Sequence, residues 1–380
     1  MIARIIHSQI KKRLFNGKAI LLYGPRQVGK TTLMKSILGE LPEAALFLDG
    51  DEADVREMLS NTTSTRLKSL VGRKQLIFID EAQRIPGIGL TLKLFTDKLP
   101  EVQVLATGSS AFHLASQSNE PLTGRKYEFV LFPLSFRELA DHGSPLEEKR
   151  LLEHRLIFGS YPEIATHPGE ERELLKLLVQ SYLYKDVLSF GRLTKPAILE
   201  KLVRALALQV GSEVSYRELG QLVGADNETI ERYVDILEKC YVLFRLPSFS
   251  RNVRNEIKRG KKIYFYDTGV RNAILGHFAS LQSRSDVGAL WENYLVAERM
   301  KYLRYQSIDL QSYFWRTAQQ QEIDYVEEGE EALFAYEFKW NRKAKAKISR
   351  TFLANYPKAQ TELITPETYE KFLNGGAQEK

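Results

Sequence analysis

The segment Gly24-Pro-Arg-Gln-Val-Gly29-Lys30-Thr31-Thr32 limits this chain more than any other feature, because its spacing suits one local structure. It follows the apolar run Ala19-Ile-Leu-Leu-Tyr23 and precedes a helical pattern, so the glycines turn the chain where backbone N–H groups collect at a helix N-terminus. Such a turn cradles phosphate oxygens. Gly24, Pro25, Arg26, Gln27, Val28 and Gly29 supply the loop, Lys30 reaches the β and γ phosphates, the Thr31 hydroxyl ligates magnesium, and Thr32 closes the motif. ATP and Mg2+ are the ligands this pattern leads one to expect.

Hydrolysis needs one carboxylate for the metal and a second for the attacking water. Leu76-Ile-Phe-Ile-Asp80-Glu81 offers both at the end of a buried strand, Asp80 toward magnesium and Glu81 toward water. Small-molecule kinases with this cradle usually lack the adjacent Glu, so hydrolysis is favoured over transfer to an acceptor. Thr107-Gly-Ser-Ser110 ends another apolar run, where hydroxyls could sense the γ phosphate or merely form a turn. Arg125, just before the last strand, is a candidate to neutralise transition-state charge in its own subunit or across an interface; an unpaired surface arginine is the other reading. Asp49 reads as a turn cap in preference to an outer contact of the metal.

From 18 to 132, continuous apolar runs alternate with helical patterns, which predicts an α/β domain with a P-loop NTPase parallel sheet covered on both faces. The pattern then turns helical, like a lid. From 196, helices separated by a tight Gly turn and followed by two strand-like segments spell a winged helix-turn-helix, with Ser215 and Glu218 at capping-box spacing. A third α/β region follows Gly276. The expected boundaries are 1–195, 196–275 and 276–380, in keeping with 380 residues and the usual domain size. Hydrophobic content of 43% with 27% charge excludes a disordered chain, and a single cysteine, Cys240, excludes an internal disulfide, so a reducing, cytoplasmic setting is expected. Lys11, Lys12 and Arg13 break up the first apolar residues, so no leader peptide is expected. No run approaches the ~18 to 20 apolar residues of a membrane span.

The net charge of +6 is unevenly spread: seven cations against Glu256 alone lie between Arg245 and Lys262. This basic hairpin is the footprint of a phosphate-backbone partner, or a solvated turn. The preceding helix carries Glu228, Glu231, Asp235 and Glu238 against Arg232 and Lys239, which opposes entry into a DNA groove. Any nucleic-acid binding should therefore be salt-sensitive and non-specific.

The nucleotide motifs, together with Phe78-Ile-Asp-Glu-Ala-Gln83, Leu122-Thr-Gly-Arg125 and Phe132-Pro-Leu-Ser-Phe-Arg-Glu138, resemble the AAA-type archaeal ATPase group, which is also bacterial. Members carry a C-terminal domain of unknown function similar to Tyr264-Phe-Tyr-Asp-Thr-Gly269 and the region after Gly288. The resemblance implies an ATPase core related to signalling ATPases, a winged helix and a nuclease-like fold, but no substrate. Glu292, Asp324, Glu337 and Lys339 resemble the PD-(D/E)xK restriction-endonuclease-like motif: Asp324 and Glu337 on a hairpin to hold one metal, Lys339 on the face of Glu337 to activate water, and Glu292 as the helix acid. An ATP-controlled enzyme acting on nucleic acid, a nucleotide-switched scaffold with an inactive nuclease-like fold, and a kinase all stay open, as does a homo-oligomer.

Overall fold

Five apolar runs of the first 133 residues form strands β1 (Ala19–Tyr23), β2 (Leu46–Asp49), β3 (Leu76–Asp80), β4 (Gln103–Gly108) and β5 (Lys126–Val130). All pair in parallel, in the order β2-β3-β4-β1-β5. The inner strands β1, β3 and β4 are buried along their whole length, as continuous apolar runs covered on both faces must be; the outer β2 and β5 are only partly covered. Helices α1 (Lys30–Gly39) and α2 (Ile88–Lys98) belong to the crossovers, and Leu92 and Phe95 of α2 share one core with Leu21, Ile77 and Ile79. Because the strands are parallel, the turns after β1, β3 and β4 fall on one edge of the sheet.

This computed structural model describes residues 2–41, 45–108, 122–181, 187, 195–250, 260–330, 332–343 and 348–375. Contacts divide the chain into two units, Met1–Pro133 with Lys239–Tyr241, and Leu134–Glu238 with Val242–Lys380. The second unit contains α3 (Phe136–His142), α4 (Leu152–Phe158), α5 (Glu171–Val179) and α6 (Pro196–Leu208). After these come β6 (Glu213–Val214), α7 (Tyr216–Val223), α8 (Asn227–Lys239), β7 (Leu243–Pro247), β8 (Lys261–Phe265) and α9 (Thr268–Leu275). β6, β8 and β7 make an antiparallel sheet in that order.

The expected boundary at 195 is not where the contacts divide the chain, and α9 is the reason. It packs on α4, α5 and α6. Its N-cap Asp267 accepts hydrogen bonds from Val270 N (3.0 Å) and from Ser160 N (2.7 Å), more than a hundred residues earlier. Gly269 approaches α4 so closely that a Cβ would lie 2.0 Å from the Phe158 carbonyl oxygen. The Ser135–Glu138 part of the family-like motif is structural too: the two side chains form a capping box that starts α3.

The chain then runs through α10 (Val287–Gln306), β9 (Gln311–Arg316), β10 (Glu322–Glu328), β11 (Leu333–Phe338), α11 (Arg350–Asn355), β12 (Gln360–Ile364) and α12 (Tyr369–Asn374). The sheet order is β12-β11-β10-β9, antiparallel except for β12, which returns parallel to β11. Arg299 of α10 and Glu327 of β10 form a bidentate, fully buried pair at 2.7 and 2.8 Å, which fixes helix to sheet. Phe136 N donates to Glu298 of α10 at 2.7 Å and ties α3 to the same helix. Among the described residues no helix is long and apolar enough to cross a membrane.

Candidate functional site

At the end of β1 the loop takes a path open to few residues. Gly24 has φ +142°, and a Cβ there would meet the Leu131 carbonyl oxygen at 2.1 Å. Gln27 and Gly29 are both left-handed, at φ 59° and 90°, and Gly29 caps α1. Pro25 and Val28 face inward, Arg26 is half-buried, and Gln27 and Thr32 are exposed. Arg4 braces the loop from behind by donating to Val28 O (2.8 Å) and Phe132 O (2.6 Å). Nothing in the sequence marked Arg4 for this role. Lys30, 6% exposed, donates from Nζ to Gly24 O (2.9 Å) and Pro25 O (2.8 Å), so its ammonium lies over the loop.

The end of β3 meets this loop. The Thr31 hydroxyl donates to Asp80 Oδ2 at 2.8 Å. The other carboxylate oxygen accepts from the Thr107 hydroxyl and from Glu81 N (3.1 Å), and Glu81 N also donates to Thr107 Oγ1 (3.3 Å). Thr107 thus holds the carboxylate end of β3, a more definite task than sensing a phosphate. Ser109 and Ser110 lie outside the described residues. Glu81 is left-handed at φ 45°, and its carboxylate accepts from Gln83 Nε2. Asp49 accepts from Asp51 N (2.9 Å), the turn cap expected of it. A hydroxyl and a carboxylate in direct contact beside this loop form a donor set that fits magnesium, which Thr31 and Asp80 would hold.

Arg125 is elsewhere. It immediately precedes β5, and its carbonyl accepts from Ala19 N at the start of β1, whereas the cradle follows β1. A five-residue strand separates the two, roughly 15 Å at about 3.3 Å per residue. Its guanidinium donates to Asp97 (2.6 Å) and holds that carboxyl below its usual range. A charge-neutralising role within its own subunit is therefore not supported by the fold.

In the second unit the four sequence-selected groups do gather around β10 and β11. Continuing the register Tyr325↔Tyr336, Asp324 lies opposite Glu337, and the β9–β10 register shifts between Ile323 and Val326, a bulge beside Asp324. Asp324 Oδ2 accepts from Phe338 N (2.7 Å), and Lys339 Nζ lies 3.0 Å from Glu337 and 3.6 Å from Asp324. Burial, then the neighbouring Asp324, pushes Glu337 up to about 7. Burial opposes charge on Lys339, but Asp324 and Glu337 outweigh it and hold its pKa above the ordinary lysine value. As arranged, the Lys339 ammonium lies between the two carboxylates.

Glu292 is drawn off by residues the sequence reading had assigned to other tasks. Its Oε1 accepts from Lys262 Nζ (2.8 Å) and the Tyr264 hydroxyl (2.6 Å), and Lys262 also pairs with Glu322. Burial pushes Glu292 up to about 7, against the pull of Lys262. Lys262 is 1% exposed, so it is no surface cation of the basic hairpin; nor is Arg245, which bonds Asp235 and Glu238. Arg251, Arg254, Lys258 and Arg259 lie outside the described residues. The missed signal was strand periodicity, because Lys262 and Tyr264 are two apart and share a face. Two carboxylates, Asp324 and Glu337, are left for an ion. Among the described residues, no group of three or more His, Cys, Asp or Glu side chains is placed to hold one.

Residues 16–140 match the profile of an AAA domain. This region is an AAA domain. After the AAA domain, residues 149–281 and 287–373 match two domains of unknown function, DUF8612 and DUF4143. The first of these runs from α4 through α9, the helices that pack together in the second unit. Over 348 residues the chain is 27% identical to an uncharacterized protein of Mycobacterium tuberculosis, covering 90% of this chain and 75% of that one. It is 23% identical over 349 residues to an uncharacterized protein of Methanocaldococcus jannaschii, covering 86% and 76%. Among solved structures, Cdc6p of Pyrobaculum aerophilum is a remote likeness, at 12% identity and a TM-score of 0.30 over 72% of this chain and 92% of that one.

Proposed function

We propose that the AAA domain binds and hydrolyses ATP with magnesium, and that nucleotide state governs a nuclease-like second unit that holds or cuts nucleic acid. The observation that carries hydrolysis is the hydrogen-bonded path from Thr31 through Asp80 and Thr107 to Glu81. Lys30 would exchange the carbonyls of Gly24 and Pro25 for β and γ phosphate oxygens, Thr31 and Asp80 would hold the metal, and Glu81 would take the proton of the water. Magnesium, when bound, neutralises charge on the phosphate oxygens. The helix and strand order from α6 to β8 supports a winged helix, and the order from α10 to β12 supports a restriction-endonuclease-like core. Lys195, Arg217 and Arg232 border a cavity of 630 Å³ at the turn between α7 and α8, whose acid Asp226 caps α8 through Thr229 N (2.7 Å). These cations support a phosphate-backbone partner better than the hairpin residues Arg245 and Lys262 do.

The hold of Lys262 on Glu292 favours a second reading, a nucleotide-switched scaffold whose nuclease-like fold only binds. Phosphate release and nucleic-acid cleavage, each with magnesium and manganese, separate the two in wild type, Glu81→Gln, and Asp324→Ala with Lys339→Ala. Cleavage lost in the C-terminal variant supports the first reading. Normal ATP turnover with no cleavage supports the scaffold.

A further inference from the structure

Glu81 is anchored at its backbone, and Gln83 holds its far end. The Glu81 N–H is shared between Asp80 and Thr107, and Gly50 closes the opposite side, where a Cβ would lie 2.5 Å from the Glu81 carbonyl oxygen. Gln83 lies on the short 3-10 turn Ala82–Arg84, and its Nε2 donates to Glu81 Oε2. The other end of the same amide, Oε1, is buried and has no hydrogen-bond partner among the described residues. Folded proteins seldom leave a buried acceptor unpaired, and such an atom calls for a water or a ligand group. Here it belongs to an amide that is already bonded to the carboxylate expected to act on water.

We infer that Gln83 is a second catalytic residue beside Glu81: its Oε1 accepts a hydrogen bond from the attacking water while its Nε2 fixes the Glu81 carboxylate. The inference rests on the hydrolysis reading above. A carboxylate alone fixes one hydrogen of a water; a second acceptor fixes the other and so directs the oxygen lone pair at phosphorus. The water oxygen bonds to the γ-phosphorus as the bond from that phosphorus to the β–γ bridging oxygen breaks, its electron pair leaving on ADP. One proton passes to Glu81 and the other stays on the product phosphate.

Gln83→Met keeps the length of the side chain and removes both hydrogen bonds. The measurements are turnover, affinity for a fluorescent ATP analogue, and affinity for ADP with aluminium fluoride, which imitates the transferring phosphoryl group. Turnover should fall at least about tenfold, with the aluminium fluoride complex weakened in parallel and ATP-analogue affinity held within about twofold. Full turnover in Gln83→Met, or an equal loss of both affinities, overturns the assignment, since the residue is then dispensable or merely structural. A wild type that binds neither ligand removes the hydrolysis reading itself, which the first of those outcomes leaves standing.

Discussion

At the strand ends of the first sheet, Asp80 is held by two hydroxyls and a backbone N–H, whereas beside β10 and β11 Glu292 and Glu337 are each paired with a lysine. The first arrangement is shaped by backbone, through the left-handed Gln27, Gly29 and Glu81 and the close packing of Gly24 and Gly50, and it holds no lysine against its carboxylate. The second brings its own cations, Lys262 and Lys339, and still leaves Glu292 and Glu337 raised to about 7. A site of the first kind is set up for a ligand to complete. A site of the second kind is already near charge balance, so a metal must compete with ammonium groups for it.

The largest effects should come from the first site. Glu81→Gln is expected to lower ATP turnover about 100- to 10,000-fold with nucleotide binding retained, measured by phosphate release and fluorescence titration. Lys30→Ala should lose the binding itself, and unchanged affinity there breaks the first half of the comparison.

Next in size is Lys262→Met. It strands Glu292 and Glu322 without their buried cation, and breaking a buried pair from one side costs roughly 3–5 kcal/mol. Urea unfolding of the variant should show that loss, and adding Glu292→Gln should restore part of it. If Lys262→Met is as stable as wild type, the second site does not depend on its internal cation.

A smaller effect is the response of the metal-free chain to pH. Glu292 and Glu337 have folded-state pKa values raised from 4.5 to about 7, so the folded chain holds those protons more tightly than the unfolded chain does. Their contribution is complete below the unfolded value and is lost as pH rises through about 7. The unfolding midpoint with chelator present should therefore fall between about pH 5 and pH 8, and Glu337→Gln should flatten the fall. A midpoint that instead rises over that interval contradicts the charge balance described for the second site.

Much of this was legible beforehand for a physical reason. Continuous apolar runs in a parallel sheet announce themselves, and the run Tyr127 to Leu131 proved to be β5 at Lys126–Val130. The cradle was legible because backbone geometry demands particular residues at fixed spacing. Asp324, Glu337 and Lys339 were legible because a hairpin brings local neighbours together. What escaped depends on distant contacts: Asp267 bonding Ser160, Gly269 lying against Phe158, and Arg4 behind the cradle. Lys262 was counted as part of a basic string, a tally blind to the alternation that turns one lysine inward and leaves its neighbour Lys261 half-exposed.

Arg125 offers the smallest expected effect and the sharpest check on reading order into space. It precedes a strand while the cradle follows one, and parallel strands send those two positions to opposite edges of the sheet. Among the described residues its ion pair is with Asp97, on an exposed surface where ion pairs contribute little. Arg125→Ala should therefore leave turnover per chain within about twofold of wild type, in dilute and in concentrated protein alike. A large loss that appears only at high concentration would mean that the residue reaches a neighbouring copy's nucleotide, and the first site would then be incomplete in a single chain.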